Sequence, residues 1–471
     1  MKLNYKLVLT LVSLSALLGT SCQKETLDQK PQASLDASTA IKDASSLTAA
    51  TLGIYSGFQS GNYYGLRYFA FADLYADNMS HVGTFPSFAT IANKQILPDN
   101  TELGSMWNSM YSTINRANTV IAAIPSISDL SVVKDNVLAE TRILRANVYF
   151  DLIRYWGGSK TGFNQAGGVG VPLVLTPTLV EADAMPKPRA TEAAVMGQVI
   201  TDLDFAIGVS TFGNTNVAGR VGKDYAKALR ARVALYMGDY ATAQNYATEL
   251  IGSSRYLLTA GADYKNIWAL KNTKESLWEI QYEPTNSNSI AFFYYTTATG
   301  GRNEISTSSG LNTAHEAGDL RQLVNASTTG GGATNLKTLK FTRVATGDDN
   351  VVMFRLSELY LIRAEARAQI GTDLVGALAD VNVVRARAGL ALSAAATTAD
   401  LMTAILKERR VEFAHEGHRF FDLKRTNVLA TTLGAAAFGV TTIDNTFRAL
   451  WPIPQREVLT SGGIIAQNTG Y

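Results

Sequence analysis

The stretch VVMFRLSELYLIRAEARAQIGTDLVGALADVNVVRARAGL, residues 351–390, constrains the fold more than any other. It predicts two helices joined at a short turn near Gly371. Leu356, Leu359, Tyr360, Ala364 and Ala368 fall on one helix face, and Leu378, Val381 and Ala388 line the next helix. Alanines set between larger apolar residues let two such helices lie close together. A related pattern occupies Asp224–Ile251. There Leu229-Arg230-Ala231-Arg232 begins nine residues before Gly238, as Ile362-Arg363-Ala364-Glu365 begins nine before Gly371. Each pair keeps a second apolar face that only another pair can cover, so the repetition predicts a tetratricopeptide-like solenoid.

Further helices are expected at Leu47–Phe58, Leu103–Ile124, Val137–Trp156 and Thr191–Ala206. Pro125 stops the second and Gly157-Gly158 the third. Between them, residues 167–188 form a connection rich in glycine and proline, with a short extended segment at Val171–Leu175. After Gly261 the texture changes. Ser276–Tyr282 predicts a strand, whereas Glu283–Asn350 is rich in Asn, Gly, Ser and Thr and lacks a sustained helical period. Such an insertion in a helical protein predicts a binding-loop region. Thr403–Phe413 then forms a charged helix, and acidic and basic side chains from Glu408 to Arg425 are expected to pair across a turn at Gly417.

With 471 residues and 46% hydrophobic content, the chain can bury a sizeable core. Lys2 and Lys6 precede an apolar run, Leu7–Leu18, that is built like a secretory leader and is short for a membrane span. Of 42 basic residues, setting these two aside leaves 40 against 40 acidic ones, so no basic field advertises a nucleic-acid partner. Cys22 is the only cysteine, which excludes an internal disulfide and argues against a cysteine zinc site. Leu18-Gly19-Thr20-Ser21-Cys22 resembles the lipobox of bacterial lipoproteins. The expected organisation is a signal peptide over 1–21, a tether over 22–40 lipidated at Cys22, and a folded body over 41–471.

Loop aromatics are the candidate ligand contacts, because an exposed ring stacks on the apolar face of a sugar while amides bond its hydroxyls. Tyr63 and Tyr64 follow the turn Ser60-Gly61-Asn62, and Trp268, Tyr294 and Tyr295 lie in the loop-rich region. Asn62 and Asn288 would supply direction. Asp73 and Asp77, four apart, are the only acids suggesting a glycosidase pair. Glu412, His415 and His418 make an incomplete metal set, and no metal or cofactor is expected.

Taken together, these segments resemble the SusD/RagB family of outer-membrane nutrient-binding lipoproteins. The resemblance covers nearly the whole chain. It rests on Cys22, Trp107–Asn118, Arg142–Gly158, Gly170-Val171-Pro172-Leu173, Arg220–Ala247, Lys274–Tyr282, Phe354–Ala368 and Val381–Gly389. Glu408-Arg409-Arg410 through Asp422-Leu423-Lys424-Arg425 carries it most strongly, and Leu450–Gln455 with Gln467–Tyr471 completes it. The resemblance implies a mainly α fold of four tetratricopeptide-like helix pairs with a loop-rich ligand-binding region, at the external face of a Bacteroidota outer membrane. It further implies a non-enzymatic protein that delivers glycans or oligosaccharides to a SusC-like, TonB-dependent barrel, with outer-membrane lipid held through Cys22. The alternatives are an extracellular glycosidase and a peptide- or protein-binding surface lipoprotein.

Overall fold

The computed structural model describes residues 40–471 except 130, 216 and 435–446. The leader, Cys22 and the tether through residue 39 lie outside the described residues. The helices of seven residues or more are α1 (Ala44–Phe58), α2 (Arg67–Tyr75), α3 (Pro86–Ala92), α4 (Thr101–Ala123), α5 (Lys134–Trp156) and α6 (Glu192–Gly208). They continue with α7 (Lys223–Met237), α8 (Tyr240–Gly252), α9 (Leu356–Ile370), α10 (Leu374–Arg387), α11 (Thr398–Glu412) and α12 (Arg419–Arg425). Among the described residues no helix is long and apolar enough to cross a membrane.

The helices pack as a running series, α4 on α5, α5 on α6, α6 on α7, α7 on α8, α8 on α9 and α9 on α10, with α11 against both α9 and α10. This is a mainly helical fold of paired helices in a tetratricopeptide-like arrangement. Two local signals make the hairpins. Gly238 and Gly371 end α7 and α9 in the left-handed region, at φ 73° and 80°, where a side chain would be strained. Asp239 and Asp373 then start the next helices by accepting from Thr242 N and Gly376 N. The buried faces carry the small residues expected of close packing, with Ala364 and Ala368 against Ala377 and Val381.

One part of the organising stretch is not helical. Val351–Arg355 is a strand, β6, and α9 begins only at Leu356. All five residues of VVMFR are buried, and two of them are β-branched, which suits a strand enclosed on both faces. The remaining strands are β1 (Met79–His81), β2 (Val169–Pro172), β3 (Arg189–Thr191), β4 (Ser276–Ile280) and β5 (Ile305–Thr307). They form three antiparallel pairs, β1 with β5, β2 with β3, and β4 with β6.

The charged run Glu408–Arg425 pairs across Gly417 as expected, with Arg409 Nε 2.8 Å from Asp422 Oδ2, but it does so inside the protein and with partners from outside the run. Fully buried Glu412 receives Arg355 and Arg387 on one carboxylate oxygen and Arg321 Nη1 at 3.1 Å on the other. Burial pushes this carboxyl up, yet the three guanidiniums outweigh it and hold it well below the usual range. Gly417 turns the chain at φ 77°, where a Cβ would sit 2.6 Å from Phe69 Cα. His415 lies just before it, itself at φ 65°, with no exposed surface.

Burial pushes the His415 imidazole down to about 3, so it is neutral in the folded protein. The unfolded chain takes up this proton near pH 6.5, which the folded chain refuses. His415 therefore contributes stability above that pH that is lost as pH falls toward its folded value. Asparagine tolerates a positive φ, so His415→Asn is the appropriate comparison. The difference in unfolding free energy between the native chain and this variant should shrink by up to about 1.4 kcal/mol per pH unit from 6.5 downward. Urea titrations at stepped pH measure it, and a pH-independent difference would contradict neutral burial.

Candidate functional site

Antiparallel pairing of β1 with β5 sets His81 opposite Ile305 and brings the loop after β1 against residues 302–304. Glu304 organises this corner with a side chain only 1% exposed. Its Oε2 accepts from Thr84 N at 2.9 Å and Phe85 N at 3.0 Å and lies 3.1 Å from His81 Nε2. Its Oε1 accepts from Arg302 Nε at 3.1 Å. Burial raises the Glu304 carboxyl, but the bonds from Phe85, His81 and Thr84 outweigh it and hold it below its ordinary value. A Cβ at Gly83 would strike the same carboxylate, so the close approach needs glycine there.

A cluster of aromatic rings packs around this clamp. The Arg302 guanidinium lies 4.0 Å from the centroid of half-buried Phe85, and its side chain is 38% exposed. Phe85 packs edge-on against buried Phe88 and 5.9 Å from Phe293, and Phe292 meets Phe293 at 5.6 Å. Phe292 is 40% exposed, so one large ring at this corner faces solvent. On the other side, Ser289 N donates to Gly65 O, which ties the aromatic segment to the Ser60–Leu66 turn. Arg67 secures that turn through Gly61 O at 3.0 Å and an ion pair with Glu102, whose Oε1 also accepts from Ser87 at 3.0 Å. The result is a surface with a ring, a guanidinium edge and several polar groups, all carried by loops outside the helical series.

Two family models between them match most of the chain. One is described as the SusD family and covers residues 271–471, and the other, described as starch-binding associating with outer membrane, covers residues 25–235. The chain belongs to the SusD/RagB family. A SusD-like protein of Formosa agariphila is 25% identical over 98% of this chain and 98% of its own length. Another, from Bacteroides ovatus, is 27% identical over 90% of this chain and 83% of its own. The crystal structure of a SusD superfamily protein from Bacteroides thetaiotaomicron superposes with a TM-score of 0.78 at 26% identity, covering 90% of this chain and 99% of that one.

In this SusD/RagB protein the rings singled out as exposed are buried, which corrects that expectation. Tyr63 and Tyr64 turn inward from their loop, and both hydroxyls donate to Asp151 on α5, Tyr64 at 2.8 Å. Tyr294 reaches Met79 Sδ, and Tyr295 donates to Thr338 O at 3.0 Å. Trp268 packs with Tyr264, Ile267, Val324 and Val352, with Lys340 Nζ 4.2 Å from its ring centroid. Asn288 is half-buried and clamps its loop, donating to Asp349 O at 2.7 Å and accepting from Ile290 N at 3.0 Å. Of the named candidates, Asn62 is half-buried in the Ser60–Leu66 turn, where its backbone N donates to Ser60 Oγ at 3.2 Å.

The missed residues are Phe85, Phe292 and Arg302. Residues 290–294 form one helical turn with Ile290, Ala291 and Tyr294 inward, which leaves Phe292 and Phe293 on the outer side. Four consecutive aromatics hide that distinction from a reading of composition, although helical spacing applied to residues 290–294 would have found it.

The acids weighed for hydrolysis are likewise committed. Asp73 has no exposed surface and accepts from Gly417 N at 3.1 Å and Asn78, and burial pushes its carboxyl up to about 7. Asp77 lies beyond the end of α2 and holds Arg419 at 2.7 Å and Arg410 at 2.9 Å. Among the described residues no three His, Cys, Asp or Glu side chains are grouped to hold a metal ion.

Proposed function

We propose that this chain is a cell-surface, non-enzymatic nutrient-binding lipoprotein, anchored by lipid on Cys22, that captures glycans or oligosaccharides and passes them to a SusC-like, TonB-dependent barrel. The observation that carries the reading is Phe292, 40% exposed beside the guanidinium-capped Phe85. A sugar ring stacks its C–H face on Phe292, the free edge of Arg302 donates to hydroxyl oxygens, and Asn62 supplies a further amide. The description of the family matched by residues 25–235 supports a saccharide cargo and an outer-membrane setting. Four helix pairs would form the scaffold on which the barrel docks, leaving the loops free for cargo.

Isothermal titration of the soluble body against glycan and peptide panels tests the reading. Phe292→Ala and Arg302→Ala should each weaken glycan binding about tenfold, equivalent to about 1.4 kcal/mol, while near-ultraviolet circular dichroism stays native. Saturable binding to peptides alone would reject the saccharide cargo. Glycan binding unaffected by either variant would place the site elsewhere.

A further inference from the structure

Trp268, His415 and Arg154 come from distant parts of the chain and line one internal cavity of about 20 Å³. Each is at most 4% exposed. Each also has one polar atom without a hydrogen-bond partner among the described residues, namely Trp268 Nε1, His415 Nδ1 and Arg154 Nε. Native interiors rarely leave such atoms unpaired, and three of them on residues that line a single cavity call for a partner within it.

The donor and acceptor roles identify that partner. His415 Nε2 lies 2.9 Å from the carbonyl of Asn325, which can only accept, and 3.2 Å from Thr307 Oγ1, whose own proton goes to that carbonyl at 2.9 Å, so Nε2 carries the ring proton. Nδ1 of the neutral ring is then an acceptor. Trp268 Nε1 and Arg154 Nε can only donate. An anion would suit the two donors and offer nothing to Nδ1, whereas a cation would suit Nδ1 and repel the donors. Water does both. A single water needs roughly 10–15 Å³ of such space, so this cavity has room for one.

We infer that the cavity is a specific binding site for an ordered water, which donates to His415 Nδ1 and accepts from Trp268 Nε1 or Arg154 Nε. This water joins the turn Glu416–His418, which also lines the cavity, to α5 and to the segment holding Trp268. It assigns Trp268 an internal role in place of the sugar contact expected of a loop tryptophan.

A high-resolution crystal structure of the body from residue 40 onward is the direct test, with a second crystal soaked in bromide. The expected result is one well-ordered oxygen within about 3.2 Å of His415 Nδ1, unchanged by the soak and without anomalous signal. An anomalous peak in the cavity would overturn the inference in favour of an anion, and a cavity without density would overturn it outright. Nitrogen NMR of histidine-labelled protein gives an independent readout. It should show Nδ1 of His415 unprotonated, and a protonated Nδ1 would remove the acceptor on which the argument depends.

Discussion

Replacing Glu412 with alanine should lower stability by about 3–5 kcal/mol, because it strands three buried guanidiniums around a missing carboxylate. Arg321 retains Asp319 and Glu408, and Arg355 retains Glu275 and Glu416, so those two keep partial compensation. Arg387 keeps Glu275 alone, at 3.2 Å. Glu412→Gln preserves an acceptor while removing the charge, and should fall between alanine and native. The measurement is the shift of the urea midpoint at neutral pH. A midpoint moved by less than about 1 kcal/mol equivalent in the alanine variant would mean that the network is not what holds α11 to β6. The acid limb has a definite sign. Glu412 is held below its unfolded value near 4.5, so its contribution is intact above that pH and is lost as pH falls toward the folded value.

Asp151→Ala is the second large effect, again about 3–5 kcal/mol. This carboxylate accepts from Tyr63 and Tyr64, from Tyr68 at 3.0 Å and from Asn147 at 2.8 Å, and it pairs with Arg154. Its removal leaves a buried cation and three phenols without an acceptor. Tyr63→Phe deletes only one donor and should cost about 1 kcal/mol. Thermal unfolding followed by near-ultraviolet circular dichroism separates the two by the size of the loss. Equal losses in both variants would show that Asp151 acts through Tyr63 alone.

The helical part of this molecule was legible because it is written in spacing. Gly238 and Gly371, each followed within two residues by a capping aspartate, mark both ends of a turn, and the alanine positions mark the buried face. The strand Val351–Arg355 was less visible, since a short apolar run joined directly to a helix has no period of its own to separate it. Its partner, Ser276–Ile280, was expected as a strand, but sequence does not name the segment a strand pairs with. The site suffered from a different difficulty. A loop position suggests an outward-facing ring, whereas Tyr63, Tyr64 and Tyr295 each carry a hydroxyl that finds a buried acceptor and so can enter the core. Phe292 lacks that hydroxyl and yet lies at the surface, with half-buried Phe85 under Arg302 at the same Glu304 corner. The motif Glu408–Arg425 was visible as charge, but its burial followed from partners such as Arg321 and Arg355, far away in the sequence.

The ends of α2 and α5 have a consequence for the order of synthesis. Tyr75 donates to Arg448 O, Asp77 holds Arg410 and Arg419, and Trp156 Nε1 reaches Pro452 O, contacts that span 373, 333, 342 and 296 residues. Closure over such lengths comes late and slowly in folding. The amino-terminal helices thus emerge with their apolar and charged faces incomplete and stay so until the final sixty or so residues arrive. Although the two family descriptions divide the chain near its middle, the main core draws on residues from both halves. The nascent protein must be kept from aggregating until it can close as one unit.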